Sequence, residues 1–317
     1  MKLTDRIGRR MKLHDLHVLT AVVQAGSMSK AAALLNTSQS AISRSIAELE
    51  QTMGVKLLDR SAQGVEPTNY GRALLKRSAV AFDELKQGVR DVECLSDPGT
   101  GELRIGTSPA LSEGLVPSVI EKLSLRYPRA IFHVSTNGAL ALYEELRSRR
   151  IDLGIVQVSG PVPEEDMDQD VLFEEPLVVV AGAENPWVRR RKIKLTELVG
   201  ESWAWPAAGT FFDSLVAEAF RAGGLEPPRA TVYADTFSMR AKLAENGRFL
   251  TVVPACIMRF STQHASLKVL PVKLPTTHRP IAIITLKNRT LNALAQFFID
   301  CVREVAKPMA KGQPSIG

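Results

Sequence analysis

Cysteine is scarce in this sequence. Three residues in 317, Cys94, Cys256 and Cys301, are odd in number and too far apart for a CxxC pair. That excludes a disulfide scaffold and a zinc ribbon, and it is the usage expected of thiols in a reducing compartment, so a cytoplasmic location is expected. Long apolar runs are also missing. The stretches PLVVVAGA from Pro176 and IAIITL from Ile281 stop far short of membrane-spanning length, so no membrane partner is expected. The basic start MKLTDRIGRRMKLHDLH leads into no apolar segment with a small-residue cleavage site, so no export signal is expected. Catalytic signatures are absent as well. His14, His17, His133, His264 and His278 form no HExxH or other ligand spacing, and there is no GxSxG, Walker or GxGxxG sequence. No enzyme activity, cofactor or metal is therefore expected. Hydrophobic residues, at 45%, are ample for folded cores, and the length allows two or three domains.

What the chain does have is a lopsided charge. The net charge is +6; residues 1–90 hold 14 Lys and Arg against 8 Asp and Glu, and the rest of the chain balances 26 against 26. A basic module on a neutral body points to a polyanionic partner for the module alone, with a solvated charged face as the plain alternative.

Three regimes follow one another along the chain. From Leu13 to about Thr52 the pattern is helical, with breaks at Ala25-Gly26-Ser27 and Asn36-Thr37-Ser38. From Asn69 to about Ser96 one proline-free helix carries Leu75, Phe82 and Val89 every seven residues, with Leu85 and Val92 three residues after the last two, which is an a/d seam. Beyond Asp97-Pro98-Gly99-Thr100, strand candidates ELRIGTS, AIFHVST, DLGIVQV, LVVVAG, FLTVVP and IAIITLK alternate with helical stretches, the mark of α/β architecture.

At about 100° per residue, Ile42, Ile46, Leu49 and Met53 share one stripe. Ser40, Arg44 and Ala47 lie opposite, with Gln39 and Ser43 on the flanks. Ser29 is the expected N-cap of the preceding helix and Thr37-Ser38 supplies the tight turn and the N-cap of this one, so the two helices form a helix-turn-helix. Gln and Arg can pair bidentately with adenine and guanine, and Ser is permissive. Gly54 is suited to end the helix, after which VKLLDR, SAQG and VEPT read as strand, turn and strand: a wing with Arg60 placed for phosphate and Gln63 at the turn. An Ala-rich packing pair remains the competing reading of the wheel alone.

From Leu16 to Gly71, the run GSMSKAAALLNTSQSAISRSIAELEQTMGVKLLDRSAQGVEPTNYG resembles the winged helix-turn-helix of LysR-type transcriptional regulators. GELRIGTSP, LRSRRIDLGIV, LFEEPLVVVAG and FLTVVP follow in the family's order, and the wording DPGTGELRIG is similar to a subgroup that includes regulators of aromatic-acid and sugar-uptake genes. The resemblance implies a winged domain over 11–69, a linker dimerisation helix over 70–97 and an effector-binding domain over 101–306. That last domain would have the type 2 periplasmic-binding-protein fold, with one subdomain over 101–174 and 279–306 and another over 175–278. It implies DNA contacts from the positions matching Gln39, Ser43, Arg44 and Arg60, with Ser38, Ser40, Gln63 and Thr68 beside them. Two departures stand out: the wing turn has Ala62-Gln63 where many members carry a basic residue, and Pro67 replaces the usual Leu.

In the linker helix, Leu75, Phe82, Leu85, Val89 and Val92 form the expected dimer seam, because a seam between two domains has little surface of its own to cover. Ligands of open α/β sheets bind beyond the carboxyl ends of strands. The expected effector residues are therefore Thr107 and Ser108 after the first strand, Asn137 and Gly138 after the second, Gln157, Thr210 and Phe211, Phe237 and Pro254, though Ser and Thr there also serve as plain N-caps. Some aromatic-acid-responsive relatives place Arg where this chain has Gln157, so a monocarboxylate or neutral polyol is expected rather than a dianion. The expected partners are double-stranded promoter DNA, a small effector, further copies of the chain as a dimer or dimer of dimers, and RNA polymerase. A solute-binding protein would need an export signal and no recognition helix; an enzyme with a basic appendage would need a catalytic constellation.

Overall fold

A computed structural model describes residues 7, 10–61, 64–96, 100–158, 166–260, 265–287 and 289–310; Gln63 lies outside them. The chain divides into two compact units, Met1–Gly88 and Val89–Gly317.

The first unit opens with α1 (Leu13–Ala25), α2 (Met28–Leu34) and α3 (Gln39–Met53). Gly26, at φ 65°, ends α1 in the left-handed region. The chain has already turned by Ser27, whose hydroxyl accepts from the Lys30 N–H and caps α2. The cap is thus Ser27, not Ser29, because the glycine reverses the chain two residues earlier than polar spacing suggests. Ser38 caps α3 through the Ala41 N–H at 3.2 Å, and Gly54, at φ 73°, closes it. Leu19, Val22, Ala31, Ile42, Ile46, Leu49 and Leu57 are sealed together in one core, each larger side chain stabilising the unit by about 1.5–3 kcal/mol.

The wing is an antiparallel ribbon of β1 (Leu58–Ser61) and β2 (Gly64–Pro67), with Arg60 opposite Val65. Helix α4 (Asn69–Ser96) follows. Its seam divides. Leu75 and Phe82 pack on the winged core, Phe82 edge-on to His17 at 6.0 Å between ring centres. Leu85, Val89 and Val92 are 49%, 59% and 63% exposed. The first half of the expected dimer seam therefore closes the chain's own domain, and the second half stays on the surface.

Two buried carboxylates fix α3 in place. Asp15 of α1 accepts from the Ser45 hydroxyl at 2.8 Å. Glu50 accepts from the backbone N–H groups of Leu57 and Leu58, at 2.8 and 3.2 Å, and from Lys56 Nζ at 2.9 Å. Burial pushes the Glu50 carboxyl up, but the Lys56 and backbone hydrogen bonds outweigh it and the result lies below the ordinary carboxylate value.

The second unit carries a five-stranded sheet in the order β4 (Arg129–Thr136), β3 (Thr100–Thr107), β5 (Leu153–Gln157), β12 (Arg279–Leu286), β6 (Met167–Glu175). The first three are mutually parallel, and β12 runs antiparallel to both its neighbours. One face is covered by α6 (Leu115–Arg126) and α11 (Ala293–Ala310), which bury Leu103, Ile105, Val119 and Phe298; the other is covered by α7 (Ala139–Arg147), with Leu142, Leu146 and Val156. β6 is missing from the strand candidates because Asp168, Gln169 and Glu174 face outward and break the apolar run.

Chain crossing at Pro176 leads to a second sheet, β10 (Leu250–Pro254), β7 (Leu177–Gly182), β11 (Leu267–Val269). Beside it lies the short parallel pair β8 (Ala204–Pro206) and β9 (Val232–Ala234). Trp203, Trp205 and Phe220, the last from α8 (Phe211–Ala222), pack edge-on in its core. The remaining α-helices are α5 (Pro109–Ser112), α9 (Phe237–Glu245) and α10 (Ala255–Phe260).

Glu50→Ala would strand two buried N–H groups and cost about 2–4 kcal/mol. Because the folded-state value is depressed, this contribution is present above the ordinary carboxylate range and lost as pH falls through the depressed value. Denaturant melts of both proteins should differ at pH 7 and converge in acid; identical curves at pH 7 would show that Glu50 does not clamp the wing.

Candidate DNA interface and effector site

On α3 the packing of Ile42, Ile46 and Leu49 turns the opposite face outward. Gln39, Ser40 and Arg44 are exposed and Ser43 partly so. Ser38 is exposed too, but its oxygen serves the cap and lies 2.9 Å from the Ser40 hydroxyl. Neither Arg44 nor exposed Arg60 makes a hydrogen bond or ion pair among the described residues. Thr68 is differently placed. Its hydroxyl donates to the Lys56 carbonyl at 2.8 Å and accepts from the Gly71 N–H at 3.1 Å, so it caps α4 and secures the wing. Gly71 itself is pressed against the Leu57 carbonyl, where a Cβ would clash.

In the second unit, Ser108 follows β3 and is buried. Its hydroxyl oxygen accepts from the Gln157 N–H at 3.1 Å, and its own N–H donates to the Ile155 carbonyl. Ser108 makes no side-chain cap, and α5 after it is a single turn, so the macrodipole expected to favour an oxyanion there is small. What remains is the hydroxyl proton. Gln157 shares its strand parity with Leu153 and Ile155, is buried, and has an Nε2 without a hydrogen-bond partner among the described residues. A buried amide donor left unpaired costs about 1–3 kcal/mol, which a ligand acceptor would recover.

The other expected effector residues are mostly committed elsewhere. Thr107 is fully buried. Asn137 donates its amide to Glu145 at 2.7 Å. Gly138 and Thr210 stand at the N-caps of α7 and α8, and the Thr210 hydroxyl is used by Ala207 and Asp213. Phe237 belongs to the core, and Pro254 is buried at the end of β10. Phe211 is 40% exposed.

Sequence reading overlooks three polar residues. Thr251 Oγ1 on β10 is buried without a partner among the described residues. Arg240 on α9 is buried and donates Nη1 to the Val252 carbonyl at 3.0 Å. Burial lowers its pKa to about 10 against the pull of Glu113 and Asp235, leaving it a cation. Glu175, the last residue of β6, is buried at the crossing into the second sheet and accepts from the Cys256 N–H that opens α10. Burial pushes its carboxyl up to about 7, against the Cys256 hydrogen bonds and the nearby Arg259. Burial beside Glu175 also drives the Cys256 thiol well above its ordinary range. A thiol so held is a packing group, not a nucleophile. No signal short of the three-dimensional crossing marks Glu175 among the acidic residues of β6.

A winged helix-turn-helix ahead of a two-sheet α/β unit is the build of a ligand-sensing DNA-binding regulator. Residues 13–72 match the bacterial regulatory helix-turn-helix protein model of the lysR family, and residues 96–307 match the LysR substrate binding domain. The chain belongs to the LysR family of bacterial transcriptional regulators. It is 28% identical to the HTH-type transcriptional regulator GbpR of Azospirillum brasilense, over 93% of this chain and 86% of that one. It is 27% identical to the transcriptional dual regulator GltC of Bacillus subtilis, over 92% and 96%. Among solved structures, a full-length OxyR variant from Pseudomonas aeruginosa shares its fold at a TM-score of 0.65, with 23% identity over 96% of this chain and 99% of that one. CbnR complexed with its target DNA gives 0.54, with 22% identity over 93% and 100%. No described helix is long and apolar enough to cross a membrane.

Glu175 gives a pH test. Its folded value lies above the ordinary 4.5, so its contribution is fully present below that value and is lost as pH rises through about 7. The loss is on the order of 3 kcal/mol. Glu175→Gln, which keeps the acceptor for Cys256, should raise the melting temperature at pH 8 and leave it unchanged at pH 4.5. Equal melting at both pH values would refute the buried-carboxyl assignment.

Proposed function

We propose that the chain reads promoter DNA with α3, assembles through the exposed end of its α4 seam, and answers to a small effector bound beside Ser108 and Gln157. The observation that carries this is the two-sided α3: its apolar face is sealed, while Gln39, Ser40, Ser43 and Arg44 face out. Arg44 and Gln39 supply bidentate base readers, and Arg60 supplies phosphate contact from the wing. Ser38 contributes mainly by fixing where α3 starts, and Thr68 by fixing the wing.

For the effector, a hydroxyl donor at Ser108 and a neutral amide donor at Gln157 favour a monocarboxylate or a polyol over a dianion. Thr251 is a further unpaired donor in the same unit, among the described residues. Effector binding shifts the two sheets about their crossing strands, and the shift reaches the winged domains of an assembly and changes promoter bending. Work in the cytoplasm and contact with RNA polymerase at bound promoters belong to the same reading.

Arg44→Ala should cost roughly 1–3 kcal/mol on operator DNA and much less on random DNA. Arg60→Ala should weaken both alike and reduce the salt slope by about one. Titrations of both DNAs across a salt series decide this; equal losses on both for Arg44→Ala would sink the base-reading role. Val89→Glu, by contrast, puts an unpaired charge into the exposed half of the seam. It should dissociate the assembly in sedimentation, and an unchanged sedimentation coefficient would place the interface elsewhere.

A further inference from the structure

Arginine side chains that are half buried usually find an acid. Arg104, in the middle of β3, is half buried, yet its guanidinium makes no hydrogen bond or ion pair among the described residues. Its backbone is firmly held: the N–H donates to Asp152 Oδ2 at 2.9 Å and the carbonyl accepts from the Asp152 N–H at 2.8 Å. The Asp152 carboxylate is itself committed to Arg289 at 2.7 Å, with Arg90 at 3.6 Å.

The Arg104 side chain points to the α7 side of the sheet, as Gly106 does two residues on. At Gly106 that face is filled, since a Cβ there would meet Ile151 and Leu142 at 2.5 and 2.7 Å. At Arg104 and its in-register neighbour His133 the helix no longer covers the sheet. A cavity of about 290 Å³ opens there, lined by Arg104, His133, Val134, Ser135, Glu145, Arg150 and Ile151.

Its charges do not cancel. Arg150 spends one donor, Nε, on the Ser148 hydroxyl at 3.1 Å and has no ion pair among the described residues. The single carboxylate in the lining, Glu145, accepts from neutral donors, Ser135 Oγ at 2.8 Å and Asn137 Nδ2 at 2.7 Å, and forms no ion pair with either arginine among the described residues. Outside the lining, Glu102 approaches His133 to 3.8 Å. Two guanidinium groups without an ion pair among the described residues, Arg150 engaged only through Nε, thus line one small hollow, the arrangement that captures planar or tetrahedral oxyanions by paired N–H donors. A hollow of this size sits at the lower end of ligand pockets and suits a small anion.

We infer that this cavity is a second ligand site, separate from the one beside Ser108 and Gln157, and that it takes a small multiply charged oxyanion, phosphate or a short dicarboxylate, between Arg104 and Arg150. Ser108 follows the carboxyl end of β3 and Gln157 is the last residue of β5, whereas the cavity lies against the flank of β3 and β4 near the end of α7. The inference stands whether or not the first site binds an effector.

The test is calorimetric titration of the full chain with phosphate, sulfate and succinate at constant ionic strength, with chloride as the blank. Saturable binding is expected, with affinity falling about tenfold or more in Arg104→Gln and measurably in Arg150→Gln. Ser108→Ala and Arg44→Ala should leave it unchanged, which separates the cavity from the first site and from the DNA-reading face. Arg150 is exposed, so its variant keeps the test valid if Arg104→Gln does not fold. Succinate binding without phosphate binding, or the reverse, identifies which oxyanion the site takes. Heats no larger than the chloride blank, unchanged affinity in both arginine variants, or loss in Ser108→Ala or Arg44→Ala would overturn the inference.

Discussion

The carboxylate of Glu50 joins the last turn of α3 to the first residues of the wing. Everything the first unit can do to DNA depends on that junction. A helix that exposes Gln39, Ser40 and Arg44 on one face must bury the other, and Ile42, Ile46 and Leu49 do so. Burial alone leaves such a helix able to slide or rotate against a greasy core. Three directional bonds, from the Ser45 hydroxyl to Asp15 at mid-helix and from the Leu57 and Leu58 N–H groups to Glu50 in the last turn, fix its rotation. Arg44 on the helix and Arg60 on the ribbon are thereby held on one rigid body, the condition under which phosphate contact can set the register for base contact.

The second unit follows a comparable logic with less finality. Its two sheets meet where β6 runs through Pro176 into β7, and the buried carboxyl at that crossing is Glu175. Gln157 Nε2 and Thr251 Oγ1 are left without partners among the described residues of the same unit. Native interiors satisfy nearly all their polar groups, so these two atoms are the ones on which the proposed effector site rests. Among the described residues, the buried carboxylates of the first unit are paired, whereas the second unit leaves Gln157 Nε2 and Thr251 Oγ1 unpaired.

How much of this is legible in the sequence differs from element to element. The helix-turn-helix is, because apolar spacing of 3.6 and a serine cap at Ser38 are local signals. So are six of the strands, whose apolar, β-branched runs are local signals even in β4, where most side chains are exposed. Ser29 reads as a cap because the wheel does not register that Gly26 takes a left-handed turn. β6 escapes because exposed Asp168, Gln169 and Glu174 interrupt its apolar run. The α4 seam is visible as one heptad pattern, but only three-dimensional contact reveals that Leu75 and Phe82 are used at home. At the proposed effector site, the Ser108 hydroxyl accepts from the Gln157 N–H, whereas Asn137 and Thr210 are consumed by Glu145 and by a helix cap. Long-range polar pairs such as Asp15 with Ser45 leave no periodic trace, so no reading of spacing finds them.

The central claim, that this chain is a sequence-reading regulator working as an assembly, is tested most directly by footprinting the purified full chain on genomic DNA fragments at physiological salt. The account predicts a few protected regions, each made of two related half-sites separated by a whole number of helical turns. Uniform protection with no preferred sequence, or single half-sites with no spacing rule, would contradict it.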